Sequence, residues 1–144
     1  MISYDALNSQ IHTITELSNV LAYLVEDRAM CDTRTCCELF QRYIDNIKSH
    51  IDMVERSIYP LILTSGDQQA INSVSNFMNG SQEVKRILKQ FTRNWCPTKS
   101  ETLKIRDHAA FIKDSDELFE VILQRLQDET EKLYLLSREV LINS

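Results

Sequence analysis

An all-α, up-down-up-down four-helix bundle is the fold that this sequence predicts, and three observations predict it. Turn-formers are scarce: 2 Gly and 2 Pro in 144 residues, too few for the many tight turns of a sandwich or barrel. Apolar residues recur at helical spacing over long stretches, with no competing two-residue alternation. The breaks between these stretches are few and short, and short connections make successive helices antiparallel neighbours. With 43% AVILMFWYC and 26% charged residues, the composition is neither disordered nor fibrous. The length fits one domain over residues 1–144, large enough to bury roughly 68–70% of its unfolded surface.

The first helix is expected from about Tyr4 to Glu26, on the stripe Leu7, Ile11, Ile14, Leu17, Leu21, Leu24 and Val25. Asp27 to Thr33 carries no apolar period and reads as a short connection, with Asp32 or Thr33 placed to cap the next helix. The second helix holds one stripe for about six turns, from Leu39 and Phe40 through Ile47, Ile51 and Val54 to Leu61. Pro60 is expected to kink or end it close by, and Thr64-Ser65-Gly66-Asp67 makes the break, Asp67 being a candidate cap. The third helix carries Ile71, Val74, Phe77, Val84, Leu88, Phe91 and Trp95, with a weak point at Asn79-Gly80. Cys96-Pro97 ends it. The fourth begins between Ser100 and Asp107 and runs to about Leu141 on Ile112, Phe119, Ile122, Leu126, Leu133 and Val140.

A net charge of −5 and a pI near 5.2 argue against a nucleic-acid or anionic-membrane surface. No apolar run approaches the roughly 20 residues of a membrane span, and no basic-then-apolar leader opens the chain, so a cytoplasmic protein is expected. The four cysteines, Cys31, Cys36, Cys37 and Cys96, are then expected to be reduced. Their spacing fits neither a zinc ribbon nor a CxxC redox motif. Up-down topology brings all four, with His108, toward one end of the bundle. Buried inert thiols are the expected reading there, with redox exchange or a zinc site as alternatives. The acidic runs Asp114, Asp116, Glu117, Glu120 and Asp128, Glu129, Glu131 have no nucleophile or second catalytic group at helical spacing and read as solvated faces, with an Asp128–Lys132 pair. No phosphate loop, nucleophile elbow or Ser/His/Asp arrangement is present, so no enzyme is expected.

One segment carries a more specific signal. The second helix reads His50-Ile51-Asp52-Met53-Val54-Glu55-Arg56-Ser57-Ile58-Tyr59-Pro60. This resembles the signature of hemerythrin-like (HHE cation-binding) domains: a His, an acid about one turn later, and an aromatic-Pro end. The fourth helix repeats a weaker version from Arg125 to Tyr134, and the break at Leu63-Thr64-Ser65-Gly66-Asp67 and Trp95 closing the third helix are similar to the same family. The resemblance covers nearly the whole chain, most specifically residues 39–67. It implies a four-helix bundle holding two metal ions, usually iron, on inward-facing His and carboxylate ligands.

Placed on this sequence, the ligand positions that the resemblance implies are largely replaced. The first-helix His slot is Ile11. His12 beside it is turned by about 100° and faces solvent. In the second helix His50 matches, but the acid one turn on is Val54. Glu55 comes next, off the stripe by roughly 75° at 100° per residue. The third-helix slot is Ser81, with Phe77 one turn before it. In the fourth, Arg125 occupies the His slot and Glu129 the acid's. His50 and Glu129 remain as inward candidates, with Glu55 as a third if the second helix is rotated near Pro60. The expectation is a degenerate, metal-free member acting as a regulatory or protein-interaction module through a protein partner. The alternative is an iron-binding O2 or redox sensor, or a carrier, with an altered ligand set.

Overall fold

The computed structural model describes residues 2–97 and 99–143. Helices α1 (Tyr4–Leu24), α2 (Arg28–Cys31), α3 (Arg34–Leu63), α4 (Gln68–Trp95), α5 (His108–Asp128) and α6 (Tyr134–Asn143) follow one another, with a π turn over Glu129–Leu133 joining the last two. No strand occurs among the described residues. Helix α3 packs against α1, α4 and α6, and α5 packs against α1 and α4. No helix is long and apolar enough to cross a membrane among the described residues.

Side-chain caps fix where each long helix begins. Ser3 Oγ accepts from Ala6 N at 3.2 Å, Thr33 Oγ1 from Cys36 N at 3.1 Å and Asp107 Oδ1 from Ala110 N at 3.2 Å. Asp67 Oδ1 serves two amides, Gln69 N at 3.0 Å and Ala70 N at 3.2 Å. Each bond satisfies a backbone N–H that the first helical turn leaves without a partner. Gly66 takes φ +79° in the α3–α4 turn, a left-handed conformation that glycine adopts without steric cost.

Two sequence expectations need correction. The Asp27–Thr33 connection contains the single turn α2, because Asp27 Oδ1 accepts from Ala29 N at 2.9 Å and so caps it. Helix α3, as expected, ends close to Pro60, three residues beyond it at Leu63. Proline removes one N–H, but the carbonyl left without it belongs to exposed Arg56, where water can serve it. The helix ends only where Thr64 Oγ1 bonds the Pro60 carbonyl at 2.8 Å. The last helix is interrupted by the π turn, which periodicity does not reveal. Helix α4, by contrast, continues unbroken through Asn79-Gly80.

The buried apolar residues form two groups. One is aromatic and thiol-rich: Phe40, Phe91, Phe111, Phe119 and Trp95 pack with Cys31, Cys36, Cys37 and Cys96. The other is aliphatic, with Leu7, Val54, Ile58, Ile62, Val74 and Leu133 beside Tyr59 and Tyr134. Along each long helix the junction between the groups is polar: Gln10 on α1, His50 on α3, Ser81 on α4, and Glu129 where α5 meets the π turn.

Candidate functional site

The polar junction is one connected network, and Glu129 is its hub. Its carboxylate is 1% exposed and accepts three bonds. His50 Nε2 lies 2.6 Å from Oε1, the Tyr134 hydroxyl donates to the same oxygen at 3.3 Å, and Arg125 Nε donates to Oε2 at 2.9 Å. The second ring nitrogen of His50, Nδ1, meets the Gln10 side-chain amide at 2.8 Å. Both imidazole nitrogens are therefore engaged, which fixes the ring orientation.

Arg125 carries the network to α4. Its Nη2 donates to the Tyr59 hydroxyl at 2.7 Å and to Ser81 Oγ at 2.9 Å, and Nη1 donates to the Phe77 carbonyl at 3.1 Å. The guanidinium also lies over the Phe77 ring, 5.1 Å from its centroid, a cation–π contact. The Tyr59 hydroxyl and Ser81 Oγ lie 2.5 Å apart and close the loop. A Cβ on Gly80 would stand 2.6 Å from Arg125 Nη1, so the absence of a side chain there makes room for the guanidinium. Burial pushes the Tyr59 phenol above its usual range, against the pull of Arg125. Burial first, and the Glu129 charge second, do the same to Tyr134. Both phenols thus stay protonated as donors at neutral pH.

The π turn makes one of these contacts possible. At about 100° per residue, two α-helical side chains five apart point roughly 140° away from each other. The i→i+5 bonding of a π turn brings them onto one side. The Tyr134 amide bonds the Glu129 carbonyl, and the Tyr134 hydroxyl reaches the carboxylate of the same residue.

Of the three residues singled out as metal candidates, His50 and Glu129 come together and Glu55 does not. Glu55 points outward and pairs with Lys85 on α4. His12 pairs with Glu16 on the solvent face at 3.1 Å. Val54 is buried among aliphatic neighbours. The donor set does not fit a di-iron centre. Both donors are already hydrogen-bonded, and Arg125 offers only N–H groups and a permanent positive charge. Among the described residues, no group of three or more His, Cys, Asp or Glu side chains is arranged to hold a metal ion.

The four thiols are all buried, at the aromatic end. Cys31, Cys36, Cys37 and Cys96 share one buried cluster. Cys37 Sγ donates to the Ser100 carbonyl at 3.6 Å, and Cys31 Sγ lies 4.0 Å from His108 Nε2. That nitrogen is 2.8 Å from the Val25 carbonyl, so it carries the hydrogen and cannot take the thiol's proton. Burial, reinforced by the neighbouring thiols, pushes Cys36 and Cys96 up to about 12. Thiols so held are poor nucleophiles at neutral pH.

Gln10, Tyr59, Phe77, Gly80 and Tyr134 belong to the network without having been chosen as site residues from sequence. Tyr59 and Tyr134 sit on apolar stripes, and Gly80 reads there only as a weak point in its helix. Arg125 and Glu129 do stand at i,i+4, the spacing of a helical ion pair. Neither a family model, nor a curated protein, nor a solved structure matches this chain.

Proposed function

We propose that this chain is a hemerythrin-like, up-down-up-down four-helix bundle of a single domain in which a side-chain network has taken the place of the metal centre, and that it serves in the cytoplasm as a non-enzymatic regulatory or protein-interaction module. One observation carries the reading: Arg125, at the family's fourth-helix His slot, lies 2.9 Å from Glu129, at its acid slot. A buried carboxylate needs a compensating positive charge. Where the family implies a metal ion for that role, this chain supplies a guanidinium. Cross-helix pairs agree with an antiparallel first and last arm: His108 at the start of α5 meets the Val25 carbonyl just past the end of α1, and Tyr4 at the start of α1 meets Ser137 on α6. The inward Ile11 and Val54 replace donors by methyl groups, which makes the centre inhospitable to a free ion.

Metal content tests the proposal directly. Tag-free protein from iron- and zinc-supplemented cultures is expected to contain no stoichiometric metal and to show no near-ultraviolet or visible absorption beyond its aromatic residues. About two irons per chain, the complement of a di-iron bundle, would overturn it in favour of a sensor or carrier. Zinc near one per chain would move attention to the cysteine end.

A further inference from the structure

Two hydroxyls lie outside every interaction described so far. The Tyr43 hydroxyl on α3 and Ser115 Oγ on α5 are the buried side-chain oxygens without a hydrogen-bond partner among the described residues. Both residues are 0% exposed. Such a group bears the full penalty of leaving water, and folded proteins rarely keep one unserved.

Ring contacts place the two residues side by side. Phe40, one turn before Tyr43, meets the rings of Phe111 at 5.7 Å and Phe119 at 6.1 Å, and these bracket Ser115 one turn to either side. The Tyr43 ring meets the Phe119 ring edge-on at 5.6 Å. A third hydroxyl comes from α1, where Ser18 is 1% exposed. Burial pushes the Tyr43 phenol up, and Ser18 is near enough to pull it partly back, yet no hydrogen bond joins the two. The serines supply the room. Ser18 stands one turn from Ile14 and Leu21, and Ser115 one turn from Phe111 and Phe119, all buried, so each serine is the short side chain of its stripe.

Three hydroxyls offer donors and acceptors but no charge. Glu129 and His50 are the buried carboxylate and imidazole among the described residues, and they are bonded to each other. An ion beside Tyr43 would therefore have no counter-charge, and an apolar guest would leave the hydroxyls unserved. Water both donates and accepts, and an internal water typically makes about three bonds to buried polar groups that have no other partner.

We infer that Tyr43, Ser115 and Ser18 form the binding site of one internal water molecule, which links α3, α5 and α1 inside the aromatic end of the core. The site shares no residue with the Glu129 network and does not depend on how that network is read.

Oxygen-17 relaxation dispersion on the full chain tests it, because the method counts long-lived internal waters and does not see hydroxyl protons. A Tyr43→Phe/Ser115→Ala variant is expected to hold one such water fewer than wild type. Tyr43→Phe alone gives a test of sign. If water serves the hydroxyl, its removal loses a bond and lowers Tm by roughly 2–4 °C, whereas removing a stranded hydroxyl raises it. This variant takes away a single oxygen and keeps the ring packing, so the sign test stands even where the double variant does not fold. A crystal structure of wild type is expected to show the water within about 3.2 Å of Tyr43 Oη and Ser115 Oγ. An unchanged water count in the folded double variant, a Tyr43→Phe chain that melts at or above wild type, or a direct bond from Tyr43 to either serine in place of the water would each overturn the inference.

Discussion

The junction around Glu129 and the end around Phe40 are both buried, yet they are stabilised by opposite kinds of force. At the junction each contact is directional, and a donor lost leaves a charged or polar group stranded. At the other end Phe40 stacks on Phe91 and Phe119 at 5.5 and 6.1 Å, while Phe111 meets Phe40 and Trp95 edge-on at 5.7 and 5.4 Å. Those contacts are nearly non-directional, and their strength follows buried area and fit. The comparison teaches that depth of burial alone does not say how a position responds to change. What matters is whether a substitution strands a polar partner or opens a cavity.

The largest expected effects separate the two regions by the way they can be rescued. Arg125→Leu should cost about 3–5 kcal/mol, because Glu129 remains buried without its counter-charge. Phe111→Ala should cost a similar ~3–5 kcal/mol through the cavity it opens. Adding Glu129→Leu to the first variant should recover part of the loss: it removes the stranded charge but leaves His50 Nε2 and the Tyr134 hydroxyl without their acceptor. Urea unfolding of the single and double variants checks this, and a double variant no more stable than R125L would break the comparison.

Gly80→Ala sharpens it with an inversion of sign. Helix propensity alone predicts a gain of about 1 kcal/mol. The contact with Arg125 Nη1 at 2.6 Å predicts instead a loss of about 1–3 kcal/mol from overpacking, which thermal melting would read as a lower Tm.

Alkaline pH probes the thiol-rich end. Cys36 and Cys96 are raised from an ordinary 9.0 to about 12 by burial. The native protein therefore keeps protons that the unfolded chain releases above pH 9. With fewer protons bound in the unfolded state, stability falls as pH rises from about 9 to about 12. Below pH 9 the contribution is fully present. A C36A/C96A variant should show a shallower decline in its urea midpoint across that window. In native wild type, a thiol reagent at pH 7.5 should react slowly, and all four sulfurs should react in denaturant. Four rapidly labelled thiols would contradict the burial. The smallest effect is expected at Glu55: its partly exposed pair with Lys85 should make Glu55→Gln cost under about 1 kcal/mol.

Much of the architecture was legible because it rests on local chemistry. Thr33 and Asp67 cap helices by short side-chain bonds, as read from the sequence, and Trp95 closes its helix in the core. His50 and Glu129 came together as an inward pair only through the family resemblance, since the acidic run around Glu129 reads from its own residues as a solvated face, whereas Glu129 is buried. The rest of the site was not legible, for identifiable reasons. Arginine is rarely buried unless paired, so Arg125 reads from sequence as a lost ligand rather than as a new partner. Tyr59 and Tyr134 look like ordinary core residues, their hydroxyl partners being invisible to an apolar count. The π turn has no compositional mark. Glu129 to Leu133 keeps an apolar spacing that a regular helix would also allow, and only the bond from the Tyr134 amide to the Glu129 carbonyl reveals the wider turn.

That wider turn also makes the segment's tolerance of length one-sided. A π turn accommodates one residue more than the α-helical path it interrupts. Deleting the codon for exposed Thr130 should therefore relax the turn to a regular helix. The tyrosine would then stand four residues after Glu129, still on the same face, and Ser137 and Val140, now buried with it, would keep theirs. Adding a codon is the opposite case. With the wide turn already present, one more residue would rotate everything downstream by about 100° and carry those three side chains off the core. Gene variants that lose a letter-triplet here should survive, and those that gain one should be purged.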